Sequence, residues 1–255
     1  DHVGSHRPRR YSRSGRLLLG SHHGQKARPG NLMLTVLWAA KGGTGTTLTA
    51  CALALAQPLS TMLVDLDGDV PRALGIGSRD RPGLDDWLAS DAPDDHLADL
   101  LIRGPADLVI LPARRDTTPR PTDRMRRPQL EERWTTLATW CADWASQADR
   151  HAYVDAGTGE PPPQFVDAAD RALLVTRRCF LGLSLARQLD AHPTGLVLLD
   201  EHGRTMPTRA ITEAVGAPIV ARVRHERAVF QAVDAGLATA PLPRSTHRAL
   251  RPLLT

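Results

Sequence analysis

The chain has 255 residues, 42% of them apolar, enough to bury a full core in one α/β domain or two small ones. Its longest apolar runs fall far short of the roughly 18–20 residues that cross a bilayer, so a membrane-spanning helix is excluded. The net charge of +4 is concentrated at one end: residues 1–32 hold seven Lys or Arg and one acidic residue, leaving 25 basic and 27 acidic residues elsewhere.

Residues 1–32 are rich in Arg, Ser, Gly and His, with Leu17-Leu18-Leu19 as their one apolar cluster. They cannot bury enough surface to fold alone, and the pattern predicts a disordered basic tail or an upstream extension ahead of Met33. Such a tail would meet nucleic acid or acidic lipid through charge. Residues 33–255 form the folded domain. Cys51, Cys141 and Cys179 are widely spaced and fit no metal pattern, and nothing argues for an oxidising compartment, so a cytoplasmic setting is expected.

The first strand is the apolar run Leu34 to Ala40, and it ends in Lys41-Gly42-Gly43-Thr44-Gly45-Thr46-Thr47 before an Ala/Leu-rich helix from about Thr47 to Ala56. Strand, glycine-rich turn and helix form the layout of a phosphate-binding loop, in which backbone N–H groups and the helix dipole converge on an anion. The pattern G-x-x-x-x-G-K-[ST] fails at two positions, Ala40 for the first Gly and Thr46 for the Lys. Lys41 is the one lysine after residue 32, against 24 arginines, so its place in the loop is informative.

Thr61 to Val64 is a second buried strand, ending in Asp65-Leu66-Asp67-Gly68-Asp69, at the strand end where α/β sheets place their chemistry. A turn and short helix follow at Pro82 to Leu88, a helix at Asp94 to Ile102 and a third strand at Ala106 to Pro112. Arg114 to Arg127 carries six arginines and reads as a solvated loop that could face a polyanion. Gln129 to Ala148 is a long helix with Trp134, Trp140 and Trp144 at helical spacing, which suits core or a subunit contact better than base stacking. His151 to Asp155 is a strand ending in an aspartate, followed by Ala156-Gly157-Thr158-Gly159. Helices at 162–169, 181–189 and 208–215 alternate with strands at 172–176, 195–199 and 218–221. Two helices close the chain, 228–235 and 245–254. About seven strands alternating with helices predict an α/β fold, a doubly wound, mainly parallel sheet covered on both faces.

From Leu34 to about Leu254 the sequence resembles the MinD/ParA group of P-loop ATPases, whose deviant Walker A loop reads KGGxGK[ST]; here it is KGGTGTT. TMLVDLDGDVPRALGIG is similar to that group's second-strand motif, HAYVDAGTG to its Walker B strand, and ADRALLVTRRC to the strand after it. VARVRHERAVFQAVDAG is similar to a late strand-and-helix segment of the group. In character the chain is nearest to actinobacterial partition-like or pilus-associated CpaE/TadZ-like members.

The resemblance implies ATP and Mg²⁺ as cofactors. Lys41 matches the signature lysine that contacts phosphate across a nucleotide-sandwiched dimer, and it enters with Asp67 as a catalytic candidate. Gly42, Gly43, Thr44, Gly45, Thr46, Thr47 and Leu48 would join Lys41 in the nucleotide cradle. Thr47, Asp65 and Asp155 would serve the metal, and Asp67 would orient the attacking water. Thr46 departs from the group, because a hydroxyl cannot neutralise phosphate as an ammonium does; losing such a contact costs on the order of 2 to 4 kcal/mol. The implied function is nucleotide-dependent homodimerisation that positions or partitions a chromosome or plasmid locus, or a pilus or septum machine. The alternative is an inactive pseudo-ATPase scaffold. Non-specific DNA contact through Arg114–Arg127 or Arg222–Arg227, and a partner partition or pilus protein, are further expectations. Membrane contact would fall to Leu242–Leu254, a segment that also suits a final helix packed on the sheet. A Rossmann site is disfavoured because Leu48 stands where its third Gly belongs.

Overall fold

The computed structural model describes residues 34–77, 81–114, 126–226 and 243–254. The basic tail, most of the arginine-rich loop and the expected helix at 228–235 lie outside them. Eight strands form one sheet: β1 (Leu34–Ala39), β2 (Ser60–Asp65), β3 (Ile102–Arg103), β4 (Val109–Leu111), β5 (Arg150–Thr158), β6 (Arg171–Arg177), β7 (Gly195–Asp200) and β8 (Ile219–Arg224). Their order is β3-β4-β2-β5-β1-β6-β7-β8. Every neighbouring pair is parallel except β3–β4.

All six residues of β1 are buried, as a central parallel strand covered on both faces requires. Alternation along it feeds two cores. Val36 and Trp38 join Met62, Val64 and Leu174 on one face, under α5 (Arg127–Ala145), α6 (Pro163–Ala168), α7 (Phe180–Ala186) and α8 (Thr208–Val215). Leu37 joins Leu63, Tyr153 and Val175 on the other face, under α1 (Thr46–Ala56), α2 (Val70–Ala73) and α9 (Arg244–Leu250). Helix α1 is apolar around most of its circumference because it lies between the sheet and these two helices.

The expected helix at 94–102 is a 3₁₀ turn (Asp94–His96) followed by α4 (Leu97–Leu100), and Ile102 has left it for the sheet. There Ile102 pairs with Ile110 and Arg103 with Val109, antiparallel, around a turn in which Ala106 and Asp107 take positive φ. The third expected strand is correspondingly shorter, Val109–Leu111. A two-residue edge strand is too short to leave a period in the sequence, and it closes the sheet margin with few open backbone groups.

The tryptophans of α5 belong to the core. Trp144 is buried, Trp134 and Trp140 are half-buried against the same cluster, and Trp134 meets Phe165 edge-on at 6.2 Å. The last residues are also core. Leu250, Leu253 and Leu254 are buried beneath the α1 face, and the Leu253 carbonyl accepts from the Tyr153 hydroxyl, which in turn accepts from Gln57 Nε2. The leucines expected to offer a membrane surface are therefore occupied, and the packed-helix reading of this segment is the one observed. Arg222 and Arg224 are exposed on β8. No helix among the described residues is long and apolar enough to cross a membrane.

Candidate functional site

The strand order sets β5 between β2 and β1, so that the C-terminal ends of three strands meet. Asp155 of β5 is in register with Leu37 on one side and Asp65 on the other, and the Leu66 amide donates to its carbonyl at 2.9 Å. Past Leu37 the β1–β5 register slips, and the Gly159 amide donates to the Ala39 carbonyl at 2.8 Å. The glycine loop therefore leaves β1 directly beside the Asp155-Ala156-Gly157 turn.

Lys41, Gly42 and Gly43 are exposed, while Thr44 and Thr46 are buried. The loop is braced from within, by Thr44 Oγ1 donating to the Lys41 carbonyl and Thr49 Oγ1 donating to the Gly45 carbonyl. Gly45 caps α1 at φ 101°, a conformation that a side chain would strain. Thr46 is the first residue of α1, one position earlier than expected, with Thr47 and Leu48 half-buried behind it in the first turn. Lys41 points to solvent, its Nζ reaching only the Gly42 carbonyl at 3.5 Å.

The Thr47 side chain faces Asp155, and the Gly157 amide donates to Asp155 Oδ1 at 3.1 Å. Asp155 Oδ2 is buried without a partner among the described residues. Asp67 lies against the same turn, so close that a Cβ on Gly157 would stand 2.6 Å from its Cγ. Asp155, Thr47 and Asp67 thus come together.

Asp65 sits differently. Fully buried, it accepts from the amides of Asp67 and Gly68 through Oδ1 and of Val70 through Oδ2. Its carboxylate shapes the turn that presents Asp67. Among the described residues no three His, Cys, Asp or Glu side chains form a metal cluster. A P-loop Mg²⁺ needs none, since the ion keeps water and takes phosphate oxygens beside one or two protein oxygens. The orphaned Asp155 Oδ2 and the Thr47 hydroxyl fit that demand.

Burial raises Asp155 to about 6; the Thr47 side chain and the Gly157 amide oppose the rise and nearby Asp67 adds to it. Burial, then Asp155, raises Asp65 well above the usual carboxylate range. A cation at this edge would relieve both.

The opposite flank of the loop was not foreseen. The ends of β6 and β7 bring Arg177, Glu201 and Arg204 against Lys41, Gly43 and Thr44 around a cleft of about 90 Å³. The run Thr176-Arg177-Arg178 at a strand end was the available signal, but a strand-end arginine is too common to assign a role.

Because Asp155 is protonated more readily in the folded chain than in the unfolded one, its stabilising contribution is full below the unfolded value near 3.8 and is lost as pH rises through about 6. The metal-free chain should melt lower at about pH 7.5 than at about pH 5, and Asp155→Asn should recover on the order of 1–3 kcal/mol at the higher pH. Thermal melts of both proteins in chelator at the two pH values check this.

No protein-family model and no curated protein sequence matches the chain. Solved structures do. The septum site-determining protein MinD of Pyrococcus horikoshii, complexed with Mg-ADP, aligns with a TM-score of 0.62 at 19% identity, over 87% of this chain and 95% of that one. A ParA family ATPase of Chlorobium tepidum aligns at 0.64 and 18%, over 86% and 96%. Cyanothece McdA in complex with ATP aligns at 0.65 and 15%, over 88% and 97%. The chain has the P-loop fold of the MinD and ParA-family ATPases, with its glycine loop and both aspartate-bearing strand ends at the C-terminal edge of the sheet.

Proposed function

We propose that the chain binds ATP with Mg²⁺ at the glycine loop and dimerises when it does so, using the dimer to position cargo such as a plasmid, a chromosome locus or a pilus machine. The observation that carries this reading is the buried Asp155 Oδ2, which has no partner among the described residues, on a carboxylate that the Thr47 side chain faces at a phosphate-type loop. Solved relatives of the fold support it, among them MinD with Mg-ADP, McdA with ATP and a Borrelia burgdorferi plasmid partition protein described as putative, bound to AMPPNP.

Gly42, Gly43 and Gly45 would let the loop backbone approach the phosphates, while Thr44, Thr46, Thr47 and Leu48 carry the rest of the cradle into the first turn of α1. Thr47 and Asp155 would hold the metal, whose charge would offset that of the phosphates. Asp65 would act through the turn it holds. Asp67, half-buried at the edge of the same turn, would orient water in line with the terminal phosphate. Lys41, exposed at the loop tip, would reach phosphate bound by a second copy. A specific observation favours a second reading: buried Thr46 brings no charge, so a scaffold that binds nucleotide with little or no turnover is the alternative.

Calorimetric titration with Mg-ATP, followed by phosphate release, separates the two. The ATPase reading expects saturable binding in wild type, and phosphate release that falls at least tenfold, by about 1.4 kcal/mol or more, in Asp67→Ala with binding retained. Absence of binding at millimolar ATP would exclude both readings. Thr46→Lys should tighten ATP binding by restoring an ammonium at the helix N-terminus; unchanged or weaker affinity would mean the loop is aligned wrongly with the pattern. Lys41→Ala should abolish ATP-dependent dimers in light scattering, and dimers of unaltered stability would count against a shared phosphate contact.

A further inference from the structure

A triphosphate bound without the loop lysine needs another cation, and the β6 side of the loop has one in position. Arg177, the last residue of β6, donates from Nε to the Thr44 carbonyl at 3.3 Å, which ties its guanidinium to the glycine loop itself. Its Nη1 donates to Glu201 Oε1, and Glu201 Oε2 accepts from Arg204 Nε at 3.1 Å. The Arg177 and Glu201 side chains are 23% and 18% exposed, so the pair is largely withdrawn from water, while Arg204 at 55% is not. With Lys41, three cations and one carboxylate surround the cleft beside Gly43 and Thr44.

We propose that Arg177 is the cis phosphate-binding cation of this loop, supplying the charge that Thr46 does not, and that Glu201 occupies its guanidinium until a phosphate takes the carboxylate's place. The proposal rests on the nucleotide reading above. The planar fork of an arginine offers two parallel N–H donors to phosphate as readily as to carboxylate, so the exchange keeps the hydrogen bonds and swaps one anion for another. Arg204 makes the exchange feasible. When Glu201 gives up Arg177 it keeps a cationic partner at Oε2, so no buried carboxylate is left uncompensated. Arg177 reaches the loop from a neighbouring strand instead of from within the loop. The fold can therefore keep a phosphate-binding geometry while position 46 carries no charge.

The competing account makes Arg177 a structural clamp between β6 and the loop. Mg-ATP affinity by calorimetry on wild type, Thr46→Lys, Arg177→Gln, Glu201→Gln and the double variant Thr46→Lys/Arg177→Gln separates them. Phosphate binding by Arg177 predicts that Arg177→Gln weakens affinity roughly ten- to a hundredfold, the loss of a charged hydrogen bond. It also predicts that adding Thr46→Lys recovers most of that loss, and that Glu201→Gln tightens binding. Thr46→Lys alone is expected to tighten binding in either account, so its gain is compared in the two backgrounds. A larger gain with Arg177→Gln than with wild-type Arg177 is expected if both cations serve one phosphate, and an equal gain overturns the proposal. Wild-type affinity in Arg177→Gln overturns it while leaving the nucleotide reading intact. A wild-type chain that does not bind Mg-ATP overturns both.

Discussion

The C-terminal edge of the sheet depends on one arrangement, a carboxylate held at zero exposure between two parallel strands. Asp155 is fixed by register with Asp65 and Leu37, and its backbone carbonyl anchors the chain leaving β2. Two aspartates in register on adjacent strands, both fully buried and both raised by that burial, are costly to keep ionised. The chain offsets part of that cost with backbone amides: three on Asp65 and one on Asp155. The rest is left uncompensated at Asp155 Oδ2, which has no partner among the described residues, and an unsatisfied buried carboxylate oxygen calls for an explanation.

The glycine loop gains its meaning from that neighbour. Alone it is an interrupted pattern with a threonine in place of its lysine. Beside Asp155 its first helical turn delivers Thr47 to the carboxylate, and Gly157 takes a positive φ that leaves room for Asp67. A methyl group at Gly157 would collide with the Asp67 carboxylate, so the small residue after Asp155 fixes how near the second aspartate stands. The site is therefore a packing solution as well as a set of charges.

The central strands could be read from the sequence because they are long, apolar and buried on both faces, and Asp65, Asp67 and Asp155 could be placed because an acidic residue ending such a strand stands out. The division of labour among the three could not. Asp65 and Asp155 have the same residue type and are register partners on adjacent strands, and only the backbone fold of 65–70 makes one a turn organiser while an oxygen of the other is left without a partner among the described residues. Ile102 was misplaced because helix α4 and strand β3 together are shorter than the window in which either period can be counted. Arg177 was passed over for a different reason: its relation to the loop is a contact across 133 residues, and nothing local in Thr176-Arg177-Arg178 encodes it.

The two flanks of the loop are therefore unlike. On the β5 side lie the oxygen-bearing side chains of Thr47, Asp67 and Asp155. On the β6 side lie Arg177, Glu201 and Arg204, a set of charges that can change partners. Thr46, between them at the start of α1, brings no charge. On the reading proposed here, both halves meet phosphate charge, β6 and Lys41 with side-chain cations and the β5 side through the metal, while the orientation of water belongs to Asp67 alone. Selection could weaken either half without dismantling the other, because each is built on a different strand and they share only the backbone of the loop.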